Sequence, residues 1–393
     1  MGLPATKGAQ SLLVFSQSLI SMSDSTSIDS HIKAYADLFI AKFDSIEGDW
    51  RQPWLQTLPF VSQNAAGHQY SGVNDVNLSL VAALRGYSSP VWLSGSQCRD
   101  LGVLRRAGEM GTIVYWGGTS FYDKDKGAID SQMRWAEYQT LSPAERERYQ
   151  LKESFGSCSY VWNLEQTDFA EKHPDTWANL QELFSRERVP ARSELLDRFL
   201  AVGSWAPDGA RRCPIIQTDD SSARYDRSVR FIEIPRKDLY MDERNFYNTL
   251  LHTMAHSAIT EQAVASYKGE GDPLADMARL NLSSELAAAV VAGRLGLTHT
   301  LSKGNLRYLR EWTQVLSDDP SVIRQVTRDS RHAVELITEQ IGIRQPVAPD
   351  ICSALGEEIR SSRQRERRPR KVYDTTNSRT GKPRLSRRPS IHL

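Results

Sequence analysis

Apolar residues recur at Ile32, Tyr35, Leu38, Phe39 and Phe43, a spacing that predicts an amphipathic helix over Ile28 to Phe43. The turn-rich stretch Gly67 to Asn74 follows. Asn74 or Asp75 is placed to cap a helix running through Leu84, which Gly86 to Pro90 closes. Ser94 starts a short helix, Gln97 to Leu101. Thr112 to Trp116 and Ser159 to Leu164 read as strands. The polar stretch between them, Ser120 to Ser157, reads as an insertion with a solvated helix near Ala144 to Arg148. Glu171 to Leu200 is charged and helical, as a connector would be. Asp219 to Arg227 is a polar turn, and Arg230 to Pro235 is a strand stopped by its proline. Asp242 then caps a helix that contains the apolar run Phe246 to His256. These elements predict an α+β protein. At 393 residues the chain is expected to hold two domains. The expected order is a leader over 1–25, an α/β domain over 26–170, a connector over 171–210, a mostly helical domain over 211–345 and a tail over 346–393.

Charge changes the picture at one end. The net charge is only +1, yet from Ser361 onward eleven Lys and Arg face two Asp and Glu. The body is therefore mildly acidic and the tail strongly basic. Arg363, Arg365, Arg367, Arg368, Arg370 and Lys371 stand where too few apolar residues exist to bury a core, so disorder is expected. Such an arm binds nucleic acid, double-stranded DNA included, by releasing counterions from phosphates, or it merely solubilises the chain. Cys98, Cys158, Cys213 and Cys352 are far apart and form no C-x-x-C, which suits buried or incidental thiols in a reducing, cytoplasmic compartment. No apolar run approaches the ~18 residues of a membrane span. Ser11 to Ile20 is too short, with only Lys7 ahead of it, for a signal peptide. Met1-Gly2 with Thr6 formally fits a myristoylation pattern but reads more simply as a floppy leader, and Met22 is an alternative start.

Two stretches carry candidate chemistry. His252 and His256 stand four apart, so on a helix both imidazoles share one face. This is the spacing of H-E-x-x-H, in which the histidines hold zinc and the Glu is the general base. Here Thr253 occupies the base position, and a hydroxyl has no useful basicity near neutral pH. Farther upstream, Trp50 and Trp54 flank Arg51 and Pro53. Either both rings anchor a loop to the core, or they form a platform for bases with Arg51 beside it for phosphate.

Several motifs then occur in order. Tyr70-Ser71-Gly72-Val73-Asn74, Arg85 to Leu93 with Tyr87 and Trp92, Gln97, Gly108 to Val114 and Tyr160 to Thr167 together resemble the N-terminal domain of ArdC-type antirestriction proteins, which plasmids and other mobile elements carry. Trp50 and Trp54 resemble that family's paired P-W motif, with Asp49 in place of the first proline. The resemblance covers about 28–168 and implies binding of single-stranded DNA with little sequence preference. The residues it nominates are Trp50, Arg51, Trp54, Tyr70, Asn74, Arg85, Tyr87, Trp92, Arg105 and Arg106. The second half, about 215–340, resembles the zincin-like domain of the same family. Ala223 to Asp226, the strand to Pro235, Asn245 to His252, Leu282 to Ala289 and Asn305 to Trp312 carry that likeness, with Ser330 to Ile337 continuing the closing helix. It implies a zinc site of His252, His256 and Glu285.

The departures fall where chemistry would be. Thr253 replaces the base, Ser257-Ala258-Ile259 replaces an aromatic-containing stretch, and the acidic pair expected near Leu280-Asn281 is absent. The sequence thus points to a DNA-binding, antirestriction-like protein with a defective peptidase site. A working zinc metallopeptidase targeted to DNA is the rival, and a plasmid primase-accessory protein a third reading, without a clear nucleotidyl-transfer motif to support it. If the tail is an electrostatic arm, truncation after Glu358 lowers the log–log salt slope of single-strand binding by about 0.7 for each phosphate it had neutralised. An unchanged slope would make the tail a bystander.

Overall fold

Phe39 and Phe43 fall four apart on a helix, and the fold begins from the face they share with Ile32 and Ala36, all four buried. The structure, a computed structural model, describes residues 28–46, 53–130, 132–133, 135–186, 193–203, 205–266, 276–301, 308–344, 350–351 and 355. The leader, Trp50, Arg51 and the basic tail from Ser361 lie outside the described residues. Residues through Cys352 form one compact unit, and Ser353–Leu393 a second.

In chain order the first unit contains helix α1 (28–44), strand β1 (Gln63–Asn64), α2 (Val73–Arg85), β2 (Val91–Ser94), α3 (Gly95–Asp100), β3 (Thr112–Asp123), β4 (Ala128–Asp130), α4 (Trp135–Thr140), α5 (Pro143–Arg146) and β5 (Tyr149–Asn163). Then come α6 (Phe169–Lys172), α7 (Pro174–Arg186), α8 (Ser193–Val202), β6 (Ile215–Thr218), β7 (Arg224–Asp226) and β8 (Phe231–Pro235). The chain goes on with α9 (Glu243–Ser266), α10 (Met277–Arg294), α11 (Leu309–Asp318) and α12 (Val322–Ile341). The mixture of helix and strand is that of an α+β protein.

The first sheet has the order β1-β2-β5-β3-β4, and the second β6-β8-β7. The stretch expected to be an insertion is instead mostly sheet. β3 and β5 pair antiparallel from Thr112–Val161 to Asp123–Tyr149, with a register shift between Trp116 and Gly117. Sequence alternation marked only the inner ends, where one face meets the core. The outer arm is closed by β4, α4 and α5, and Arg148 donates from Nε to Asp123 Oδ1 at 2.8 Å. The polar turn expected before β8 likewise holds a strand, β7, paired antiparallel to β8. The expected continuous closing helix is two helices, α11 and α12, interrupted at Pro320, which cannot donate a backbone hydrogen bond.

Capping shows where side chains are needed elsewhere. Ser94 caps α3 with a full capping box to Gln97. For α2 the cap is Gly72, at φ 62, with no side-chain bond. Asn74 and Asp75 lie inside its first turn instead. Asn74 exchanges two hydrogen bonds with the backbone of Tyr115, each 2.8 Å, and Asn77 donates to the Ile113 carbonyl at 3.0 Å. They satisfy an edge of β3 that, among the described residues, has no strand beside it until Phe121 meets β4.

One core spans both halves of the sequence. It includes Ile32, Phe39, Phe43, Trp54, Val76, Leu80 and Ile113 together with Leu250, Met254, Leu286, Val290, Trp312, Ile323 and Val326. At its centre is α10, buried from Leu280 through Leu295 and packed by α9, α12, α11 and α2. A helix covered on every side cannot show an amphipathic period. Its Ser283, Ser284 and Ala287 to Ala289 are small, which lets neighbouring backbones approach. Gly293 has no room for a side chain, because a Cβ would strike the Oγ1 and carbonyl of Thr57. Thr57 Oγ1 in turn donates to the Ala289 carbonyl at 3.1 Å.

At the end of α10, Arg294 pairs with the buried carboxylate of Asp75 on α2. Asp75 also accepts from the Ser62 amide at 3.1 Å, and Arg294 reaches Thr338 Oγ1 on α12 at 3.3 Å. Burial raises the Asp75 carboxyl above its ordinary pKa, and Arg294 pulls against that rise. Removing one partner of such a pair leaves an uncompensated buried charge, at a cost of about 3–5 kcal/mol. Asp75→Ala is therefore expected to destabilise the chain by that order in denaturant melts, while Asp75→Leu with Arg294→Met recovers most of the stability.

Candidate metal centre

Helix α9 carries His252 and His256 one turn apart, their ring centroids separated by 6.4 Å. Both line an open cleft with Thr253, Asn281 and Glu285, walled on the strand side by Arg224, Tyr225 and Pro235. Glu285 comes from α10, the buried neighbour of α9. Its Oε2 lies 2.7 Å from His252 Nδ1, and its Oε1 lies 3.5 Å from Nε2 of His299. His299 follows the end of α10 and is fully buried, with its Nδ1 unpartnered.

His299 was not visible in the sequence as a site residue. It lies outside the H-x-x-x-H stretch, and nothing in its local pattern marks it. Its position is set by the segment after Pro53. Trp54 N donates to the His299 carbonyl at 3.0 Å, Gln56 Nε2 to the same oxygen at 2.7 Å, and the rings of Trp54 and His299 are 5.7 Å apart.

The electrostatics favour neutral imidazoles. Burial and the neighbouring His252 push His256 down to about 4. Burial also lowers His299, outweighing the pull of Glu285. Neutral imidazoles are the form that ligates metal. The residue types therefore suit a divalent ion, but their arrangement is that of a hydrogen-bonded network. Among the described residues no group of three or more His, Cys, Asp or Glu is placed to hold one. Glu285 is turned to His252 and His299. Thr253 Oγ1 donates to the Thr249 carbonyl at 2.8 Å, the back-bond expected of a threonine inside a helix.

The residues nominated for DNA binding are dispersed. Trp54 is 3% exposed and packs on Phe43, Trp312 and His299, so it anchors its loop and leaves no ring face open to a base. Trp92 is 0% exposed, with Tyr87 edge-on to it at 6.2 Å. Large apolar rings gain more from the core than from display. Tyr70 and Tyr87 are half-buried, and burial raises both phenols to about 12. Asn74 is committed to the β3 backbone.

Arg85, Arg105 and Arg106 are exposed. Arg105 lies 4.3 Å over the ring of Trp162, which fits because Gly111 has no side chain to meet that ring. Arg106 pairs with Glu171 at 2.6 Å. Two further exposed groups were not nominated. Trp116 is 54% exposed, and Arg324 of α12 lies 5.8 Å over Tyr115.

Residues 29–155 match the family model of the N-terminal domain of anti-restriction factor ArdC, and residues 210–329 match that of a zincin-like metallopeptidase. Among solved structures, the metal-free antirestriction protein ArdC from the R388 plasmid is 21% identical, with a TM-score of 0.49 over 80% of this chain and 99% of that one. Its Mn(II)-bound form is 22% identical, with a TM-score of 0.48 and the same coverage. No curated protein matches the chain.

Because the buried Glu285 carboxylate meets His252 at 2.7 Å and His299 at 3.5 Å, losing these contacts costs about 1–3 kcal/mol. Glu285→Ala is expected to lower the melting temperature accordingly. An unchanged midpoint would mean that the carboxylate has no structural part.

Proposed function

Because the chain joins the N-terminal domain of the ArdC family to a zincin-like metallopeptidase domain, we propose that it binds single-stranded DNA and shields the incoming DNA of a mobile element from restriction. In this reading its zincin-like part is kept without peptidase chemistry. The two parts correspond to the domains over 26–170 and 211–345, joined by the charged helices between.

The observation that carries the second half of the reading is Thr253. A zinc peptidase needs a group that takes a proton from the metal-bound water and returns it to the leaving amine. Thr253 stands at that position and commits its proton to the Thr249 carbonyl. Among the residues lining the cleft, Glu285 is held by His252 at 2.7 Å. If a divalent ion is taken up, we assign it to His252, His256 and Glu285. That requires Glu285 to exchange its hydrogen bond for the ion, which would polarise bound water. Support for the DNA half comes from the family match and from the exposed arginines Arg85 and Arg105, the latter stacked over an aromatic ring.

The full chain is expected to retain single-stranded oligonucleotides on filters in preference to duplexes at low salt. It should show no more than trace zinc-dependent proteolysis. Metal analysis should find less ion in His252→Ala than in the unmodified chain if the assignment is right. Thr253→Glu should raise any trace hydrolysis, since general acid–base help contributes ~10²–10⁴-fold. Robust proteolysis by the unmodified chain, abolished by His252→Ala, would refute the inactive reading. Failure to retain oligonucleotides would refute the DNA reading.

A further inference from the structure

A second cleft lies on the other side of α2, where α12 crosses α1, α2 and the inner end of β3. Its walls include Ile32, Tyr35, Val81 and Ile113, and its cavity volume is about 80 Å³. Two side chains lining it have incomplete hydrogen bonding, Asn77 and Tyr35, whose buried hydroxyl is without a partner. Asn77 is 6% exposed and lines the cleft. Its Nδ2 donates to the Ile113 carbonyl at 3.0 Å, which fixes the orientation of the amide. Its Oδ1 is buried with no hydrogen-bond partner. A buried acceptor left unmade is costly, so it points to a donor that arrives from outside.

The rim has the opposite character. Arg85, Arg324 and Arg328 all line the cleft and are exposed. Among the described residues none of the three forms an ion pair with a carboxylate. Arg328 bonds Gln325 at 2.9 Å, and Arg324 lies over Tyr115. An apolar slot with an inward acceptor, a buried hydroxyl and, at its mouth, three guanidiniums that form no ion pair among the described residues matches a flat heterocycle that carries an amino group and, at its edge, a phosphate.

We propose that this cleft receives one unpaired adenine or cytosine nucleotide of a single strand, with its exocyclic amino group on Asn77 Oδ1 and its phosphates on Arg324, Arg328 and Arg85. The proposal rests on the single-strand reading above and gives that reading a place and a base preference. Thymine suits the Asn77 contact less well. Its one imino donor is flanked by two carbonyls, and the amide nitrogen of Asn77 is already committed to Ile113. The site needs α12 as well as the N-terminal elements, so both halves of the sequence contribute to it.

The test is fluorescence anisotropy of the full chain with labelled oligo(dA), oligo(dC) and oligo(dT) of equal length. The unmodified chain should bind the first two about fivefold to tenfold more tightly than the third, the worth of one buried hydrogen bond. Asn77→Ala should erase that difference. Arg324→Ala with Arg328→Ala, both at exposed positions, should weaken all three alike and lower the log–log salt slope by about 1.4, or 0.7 per neutralised phosphate. Should Asn77→Ala fail to fold, the arginine variant still decides. Equal binding of the three sequences by the unmodified chain, or an arginine variant with unchanged affinity and slope, would overturn the cleft while leaving single-strand binding intact. No binding of any oligonucleotide would remove both.

Discussion

Helix α10 must be covered on every side, and the rest of the molecule follows from that requirement. Its sequence offers no polar face to water, so α9, α12, α11 and α2 are all drawn onto it. Small residues set the distance of approach, and Gly293 sets it most tightly, against the backbone of Thr57. The one strong charge at its end, Arg294, is buried with the rest and is tolerable only because Asp75 meets it. The same helix brings Glu285 beneath His252. The candidate centre is therefore built on the most rigidly packed element of the chain.

That placement bears on what the centre can do. A carboxylate held between His252 and His299 orients two imidazoles and neutralises part of a buried site. Depression of His256 and His299 keeps both rings as lone-pair donors near neutral pH. The residue beside His252 is a threonine whose hydroxyl closes a helix back-bond, and the carboxylate within reach, Glu285, is engaged by His252.

Much of this was legible in the sequence, and the exceptions have physical causes. Helix α1 and the start of α9 declare themselves because one face of each is apolar, and Ser94 with Gln97 spells out a capping box. The β3–β5 arm does not, because after Trp116 its sequence runs Gly117-Gly118-Thr119-Ser120, which breaks the apolar alternation. Helix α10 could be placed only by resemblance, since full burial erases its period. Long-range partners were the least visible. Asp75 and Arg294 are 219 residues apart, and Asp75 looked like a cap. His299 carries no local motif and acquires its role only where Trp54 and Glu285 close around it. Trp54 and Trp92 look alike as candidate platforms in sequence, and both are core residues because rings of that size are worth more there.

The shared core also limits how such a chain can be rearranged by recombination. A boundary drawn near residue 170 would separate Trp54 from Trp312, Thr57 from Gly293 and Asp75 from Arg294. An N-terminal half taken from one relative and a zincin-like half from another would meet across a surface fitted residue by residue. A substitution at Thr57 or Asp75 is therefore tolerated only where it suits what stands at Gly293 or Arg294.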